Sequence, residues 1–389
     1  MAHSTRGGAP VVGLSGSVLD TRFSGGRLDG IGTYTLALER ALRGLGVTTR
    51  RVGTPRRRGA TIVMPEQADL AFRLPLGWSM AATALAGLAT PFASKVERAI
   101  DVYHCTDYLI PRLRRTPVVA TLYDAIPLAH PEWANQRLRS LKNWLLRSGA
   151  ADADLVIAIS HAAVEDLVEH YKIPEAHIRI VPLGVDDEWF AAPSPSAVDA
   201  ICRTRGVRAG CFLFVGTLQP RKNLDALIAA YDSLPAAVRS QHQLIIAGQY
   251  GWGAEHLRTV LEARRGGREV IWLDYVSREE LHALYAIACA FVFPTLSEGF
   301  GLPVLEAMAS GTAVIASDLP VLREVAGSSA TFVHAHDVDQ LAAAMDRAAN
   351  ASRDEAVATQ LRGWARRFDW AACARRTLEV YEELVSGSR

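Results

Sequence analysis

A chain of 389 residues with 49 % hydrophobic and 21 % charged residues is too long for one ordinary domain and too apolar for a disordered one, so two globular domains of roughly 190 residues are expected. Five scattered cysteines (105, 202, 211, 289 and 373), none in a C-x-x-C pair, exclude a disulfide framework and fit a reducing compartment. The net charge of +1 hides an asymmetry: residues 1–150 hold 20 Lys and Arg against 10 Asp and Glu, a balance of +10, while the remainder balances at −9.

The basic N-terminus is followed by no long apolar run, so no signal peptide is expected. A first strand, Val11–Leu14, leads to a glycine-rich loop, Gly25-Gly26-Arg27-Leu28-Asp29-Gly30-Ile31-Gly32-Thr33-Tyr34, ahead of a helix. It is not a full G-x-G-x-x-G, so alone it is a weak signal, and a flexible loop is the lesser alternative. Leu74–Ala93 is a 20-residue run without charge. Its Pro75, Gly77, Gly87 and Pro91 argue for a buried or surface-lying segment rather than a membrane span. Strands follow at Asp101–Cys105 and Val118–Leu122. Arg137, Arg139, Lys142 and Arg147 then lie among Leu138, Leu141, Trp144 and Leu145. With the Arg50-Arg51, Arg56–Arg58 and Arg112/Arg114/Arg115 clusters, this basic amphipathic pattern reads as an anionic membrane or polyanion contact, or as a solvated helix face. No nucleic-acid-binding motif accompanies the charge, so nucleic acid is not an expected partner. Strands Leu155–Ile159 and Ile178–Val181 close the first half, with Ser160 placed to cap the helix that His161 opens.

The Pro/Ser stretch Ala191–Ser196 reads as a linker. Apolar strands then recur at Phe212–Val215, Leu244–Ala247, Val270–Leu273, Phe291–Phe293 and Ala313–Ala316, alternating with helical patterns. Alternation throughout implies an α/β fold of two doubly wound parallel sheets, with ligands at the carboxyl ends of the strands. After Phe293 comes Pro294-Thr-Leu-Ser-Glu298-Gly-Phe300-Gly301-Leu302-Pro303, a loop that opens a helix carrying Glu306. Pro suits a first helical turn, and the open N–H groups of Gly301 and Leu302 suit a phosphate. Asp152-Ala-Asp154 and Asp337-Val-Asp339 spell D-x-D but precede ordinary elements and read as caps or turns.

Glu298 and Glu306 with their surroundings resemble the E-x7-E motif of the family 4 retaining glycosyltransferases. Phe212-Leu-Phe-Val-Gly216-Thr217-Leu-Gln-Pro-Arg221-Lys222-Asn223-Leu224 is similar to that family's donor-diphosphate strand and loop, and Leu244–Gly248 with Gly251-Trp-Gly253 to its next strand and turn. Tyr275–Leu281 is similar to the segment ahead of the E-x7-E helix. The resemblance covers nearly the whole chain. It implies a GT-B architecture: Rossmann-like domains at 1–190 (acceptor) and 191–369 (nucleotide sugar), facing a central cleft, and a final helix, 370–389, packed back on the first. It implies that Lys222, the only lysine after residue 172, neutralises the leaving diphosphate; where Gly216-Thr217 lacks the family's further charge, that charge is either absent or supplied by Arg221, which alternatively forms a structural ion pair. Glu306 would hold the ribose hydroxyls and Glu298 would face the sugar, with Phe300, Gly301, Leu302, Thr217, Gly30 and Gly32 around the donor. Where the family usually has His-Asp, this sequence has Tyr123-Asp124. His104, His130 and His161 are the candidates to compensate, and Tyr123, Asp124, His104 and Ser160 are the candidate sugar or acceptor contacts.

The expectation is therefore a retaining hexosyltransferase, needing no metal or cofactor, that moves mannose from GDP-mannose to a lipid-linked or surface glycan. It would be cytoplasmic, at the inner face of the plasma membrane. A 6-deoxyhexose donor such as rhamnose, a sugar-nucleotide 2-epimerase and a non-catalytic sugar-nucleotide binder are the alternatives.

Overall fold

The computed structural model describes residues 9–23, 26, 28–58, 61–133, 139–264 and 266–387. Gly25, Arg27, Arg137 and Leu138 lie outside the described residues. The chain divides into two compact units. The first runs to Gly184 and takes in the last helix from Asp369; the second is Val185–Phe368 with a short segment beginning at His130. The change-over precedes the Pro/Ser stretch, which instead opens a helix, Pro195–Arg205, with Ser194 Oγ accepting from Ala197 N at 3.2 Å.

In chain order the first unit holds β1 (Val12–Ser15), α1 (Gly30–Gly44), β2 (Thr49–Gly53), β3 (Arg56–Arg58), β4 (Thr61–Val63), β5 (Leu70–Ala71), α2 (Leu76–Ala86), β6 (Val102–Cys105), β7 (Val118–Leu122), α3 (Arg139–Ala151), β8 (Leu155–Ala158) and β9 (Ile178–Ile180). Seven of these strands form a parallel sheet, β5-β2-β1-β6-β7-β8-β9, while β3 and β4 pair as a separate antiparallel hairpin. In the second unit, β10 (Phe212–Val215), α4 (Leu224–Ser233), β11 (Leu244–Ala247), β12 (Val270–Leu273), α5 (Arg278–Ile287), β13 (Ala290–Phe293), α6 (Leu302–Ala309), β14 (Ala313–Ser317) and β15 (Thr331–Val333) build a six-stranded sheet, β12-β11-β10-β13-β14-β15.

Every apolar run read from the sequence lies on a strand, because a strand buried on both faces must be apolar throughout. Phe212, Phe214, Phe291 and Phe293 on the central β10 and β13 are wholly buried. Each such side chain stabilises the core by about 1.5–3 kcal/mol relative to exposure. β2 escaped that reading: it is Thr-Arg-Arg-Val-Gly, and Arg51 is there to pair, its Nη2 2.7 Å from Oε2 of the buried Glu39 on α1. Arg51 is thus a structural cation, and Arg56 stands 3.8 Å from Asp107.

Leu74–Ala93 does not form one helix. α2 stops after 11 residues at Gly87, which is left-handed at φ +65°. Among the described residues no helix is long and apolar enough to cross a membrane.

The last helix, α7 (Trp370–Gly387), packs on α1 of the first unit. Tyr381 Oη lies 2.7 Å from His104 Nδ1, and Arg179 pairs with Glu383. A side chain at Gly184 would meet Trp370 N at 2.4 Å, so the two stretches of chain pass too closely for any other residue.

Candidate active site

The second sheet reverses its order between β10 and β13: the chain builds β11 and β12 on one side, then β14 and β15 on the other. The loops leaving such neighbouring strands diverge and frame a crevice at their carboxyl ends. One loop is Gly216–Asn223 and the other Pro294–Gly301.

After β10 the chain makes a tight 3-10 turn, Pro220–Lys222, and Asn223 takes a left-handed conformation (φ +56°) to start α4. Asn223 Nδ2 donates to Pro294 O at 3.0 Å and to Ala335 O at 2.7 Å. The Arg221 carbonyl accepts from Leu296 N at 2.7 Å and from Thr295 Oγ1 at 2.9 Å. These bonds stitch the two loops together and hold Arg221 and Lys222 against Glu298. Glu298 Oε1 accepts from Lys222 Nζ and from Arg221 Nη1, the latter at 2.9 Å, and Thr295 Oγ1 is 3.1 Å away. Lys222 is buried, and its ammonium also sits 4.6 Å from the centre of the Phe293 ring. Burial works to raise the Glu298 carboxyl, but the Lys222 and Arg221 charges outweigh it and hold the group below the usual carboxylate range. Two cations thus share one anion, leaving an excess positive charge.

α6 begins beside this cluster. Gly301 is left-handed at φ +103°, which only glycine adopts readily, and a Cβ there would also meet Leu322 at 2.8 Å. No side chain caps the helix, so its first N–H groups are open to an anion. One turn in, Glu306 accepts from Tyr285 Oη of α5 at 2.9 Å. Burial pushes Glu306 up to about 7, against the lowering effects of Tyr285 and Arg278. Thr217 is exposed on the first loop, while Phe300 is buried with its ring edge-on to Phe368.

The arrangement is an anion cradle with one deprotonated and one easily protonated carboxyl. Two family models match this chain: "Glycosyltransferase Family 4" over residues 28–189 and "Glycosyl transferases group 1" over residues 208–360. O-antigen chain mannosyltransferase B of Escherichia coli is 31 % identical over 289 residues, covering 73 % of this chain and 74 % of that protein. The chain belongs to glycosyltransferase family 4. The fold likeness extends across this glycosyltransferase. Sucrose-phosphate synthase from Thermosynechococcus elongatus superposes with a TM-score of 0.74 at 20 % identity, covering 97 % of this chain and 99 % of that one. An Anabaena protein, HepE, solved in complex with UDP-glucose, gives a TM-score of 0.67 at 17 % identity, covering 97 % and 99 %. Both sheets are those of the GT-B class.

In this glycosyltransferase several other residues singled out in the sequence have structural partners. His104 is a core histidine, not a sugar contact: it is wholly buried, Nε2 lies 2.8 Å from Thr121 Oγ1, Nδ1 meets Tyr381, and burial pushes it down to about 3. The Tyr123 hydroxyl donates to Thr106 O at 2.7 Å and its ring packs edge-on against Tyr34. Ser160 is buried, with Oγ accepting from Ala163 N at 3.1 Å, which makes it a helix cap. Asp124 Oδ1 accepts from Ile126 N at 3.0 Å, forming the turn after β7. Gly30 starts α1, and the Gly32 N–H is taken by the Asp29 carboxylate at 2.8 Å. Gly32 is glycine because a Cβ would lie 2.8 Å from Val18 O. His130 stacks on Trp133, and His161 is exposed beside the helix Ala162–Asp166. Both D-x-D stretches have structural roles: Asp154 accepts from Val118 N at the start of β7, and Asp337 accepts from Gln340 N as a helix N-cap.

Thr295, Asn223 and Tyr285 were not foreseen. Only Asn223 left a trace in the sequence, as an asparagine directly before a helix, where a left-handed backbone is commonly accommodated.

The Glu306 environment gives a pH expectation. Between about 4.5 and 7 the folded protein holds a proton here that the unfolded chain does not, so this group's contribution to stability falls as pH rises through that window. Donor affinity should move the other way if the ionised carboxylate accepts ribose hydroxyls. The KM for donor should fall as pH rises through about 7, and Glu306→Gln should raise KM and flatten the profile. A profile unchanged in Glu306→Gln would remove Glu306 from the donor site.

Proposed function

We propose that this glycosyltransferase moves mannose from GDP-mannose, with retention at the anomeric carbon, onto a growing surface glycan of the O-antigen kind. The observation that carries this reading is the Lys222–Arg221–Glu298 cluster beside the uncapped start of α6. Transfer breaks the bond between the sugar C1 and the diphosphate, with charge developing on both fragments, while an acceptor hydroxyl oxygen forms the new bond to C1 and gives its proton to the departing diphosphate. Lys222, Arg221 and the Gly301 and Leu302 N–H groups take the departing diphosphate, a stronger partner for two cations than one carboxylate. Glu298, freed of part of its pairing, turns its negative charge to the oxocarbenium-like sugar. Glu306 holds the ribose. Because two side-chain cations serve the leaving group, the reaction needs no metal.

The mannosyl donor is supported by the 31 % identity to the E. coli O-antigen mannosyltransferase. A UDP-hexose is the second reading, supported by the fold neighbour that carries UDP-glucose. The 6-deoxyhexose alternative loses its motive, since the Tyr123 hydroxyl is bonded to Thr106. The enzyme would work on the inner face of the plasma membrane, where nucleotide sugars and lipid-linked acceptors meet, with the exposed Lys142 and the helix α3 turned to the lipid.

Thermal unfolding with GDP, UDP, TDP and ADP tests the base, because a ligand of the folded state raises stability by mass action. GDP should give the largest shift. GDP-mannose with a lipid-linked acceptor should then yield an α-mannosylated product, equally in the presence of EDTA. A shift with UDP alone would replace the donor. Epimerised nucleotide sugar without transfer would replace the reaction.

A further inference from the structure

α2 turns large apolar side chains outward. Its inward positions are Leu76, Ser79, Met80 and Thr83, spaced as one helical face, so two hydroxyls point into the unit. Thr83 Oγ1 and, just beyond, Thr90 Oγ1 are buried without a hydrogen-bond partner among the described residues. Its outward face carries Trp78, 63 % exposed, and Leu85, 80 % exposed. The ridge continues past the helix through Leu88 at 55 % and Phe92 at 62 %. Phe92 has φ +57°, a conformation that a bulky residue rarely holds. α3 packs against α2 and adds exposed Leu141 and Trp144. In water this face is unfavourable, and since Leu76 and Met80 fill the inward side the helix is apolar on both faces.

The ridge has a basic collar. Arg73, Lys95 and Arg98 surround Phe92 in a shallow cup of about 380 Å³, with the Arg73 guanidinium 5.9 Å from the ring centre. The chain from Leu74 to Ser94 holds no acidic residue. Glu97, the nearest, has its Oε1 accepting from the Arg114 and Arg115 N–H groups at 2.7 and 2.9 Å, so its carboxylate is turned to the backbone.

We infer that α2 and the segment to Phe92 form an interfacial anchor that inserts Trp78, Leu85, Leu88 and Phe92 into the outer part of an anionic bilayer. The collar meets lipid phosphates at headgroup depth, the usual position of bases beside an inserted apolar face. A second copy of this chain is the poorer occupant, since a symmetric pairing through this face would oppose one basic collar to another. The inference rests only on the membrane-peripheral part of the proposed function and moves the main contact from the bases of α3 to the apolar face of α2.

The test is co-sedimentation of the full chain with vesicles of phosphatidylcholine, alone or mixed with phosphatidylglycerol. Wild type should bind the mixed vesicles, with a blue-shifted tryptophan emission. W78S/L85S should lose about thirtyfold or more in partitioning, since each side chain leaves an apolar phase. K95E/R98E should lose about tenfold at low salt and little at high salt. All variants should keep the wild-type unfolding midpoint and nucleotide affinity, because the altered side chains are exposed and away from the donor loops; this separates failure of the anchor from failure of the donor reading. Wild type that ignores mixed vesicles, or W78S/L85S that binds them as wild type does, would overturn the inference. So would a wild-type dimer that W78S/L85S dissociates, since the face would then belong to a second copy.

Discussion

Glu298→Gln is expected to lower turnover by about a hundredfold to a thousandfold while nucleoside diphosphate affinity stays within a few-fold of wild type or tightens slightly. The size follows from removing one preorganised group at a reacting centre. The asymmetry follows from the geometry. Glu298 pairs with both Lys222 and Arg221, so without its charge both cations are freer to hold a diphosphate. The amide conserves volume and can still meet Thr295 and Arg221, which limits the structural cost. The measurement is steady-state transfer beside a nucleotide titration on the same sample. Wild-type turnover from folded Glu298→Gln would remove Glu298 from the reacting centre.

Lys222→Ala should damage both steps. Loss of one charge-assisted contact to a poorly solvated phosphate is worth roughly 1.5–3 kcal/mol, hence about tenfold or more in nucleoside diphosphate affinity. Turnover should fall as well, because the same ammonium meets the charge that grows on the leaving group. Lys222→Ala also leaves Glu298 with Arg221 as its one cation in a buried place. Its carboxyl should then titrate higher than in wild type, and activity should decline at a higher pH than before. Lys222→Arg should rescue part of the binding and little of the rate, since a planar fork does not fit a site shaped for a compact ammonium over Phe293. Unchanged affinity and rate in Lys222→Ala would reduce Lys222 to a structural partner of Glu298.

What the sequence revealed and what it concealed divide along a physical line. Glu298, Gly301, Leu302, Pro303 and Glu306 were legible because a loop running into a helix is a local event, fixed by residue spacing. Strands β10 and β13 were legible because double burial forces an unbroken apolar run. The meeting of Lys222 with Glu298, 76 residues apart, could be placed only through the fold resemblance, since sheet order is not written in either loop. Asn223 and Tyr285, and Thr295 in its bond to the Arg221 carbonyl, act on groups far along the chain, so no spacing reveals those partners. His104 misled for the opposite reason. A histidine on an otherwise apolar strand looks like a functional exception until Tyr381 and Thr121 are seen to satisfy both ring nitrogens. Leu74–Ala93 hid its orientation, because an uncharged run gives no polar face by which to tell inside from outside.

The position of α7 has a consequence for how the protein is made. A ribosome ordinarily releases an N-terminal domain to fold while the rest is still being translated. Here the first unit lacks its final helix until Tyr381 emerges, and that residue is separated from its partner His104 by 277 positions. At about 5–20 residues per second, the interval between Gly184 and Trp370 lasts on the order of 10–40 s. Throughout it, the surface that α7 will cover on α1 is bare, including the ring of Tyr34 that later meets Trp370. The second unit, contiguous from Val185 to Phe368, has no such wait. Translation order and folding order are thus inverted. The nascent first unit therefore keeps apolar surface exposed for longer than the second, the condition under which folding intermediates aggregate.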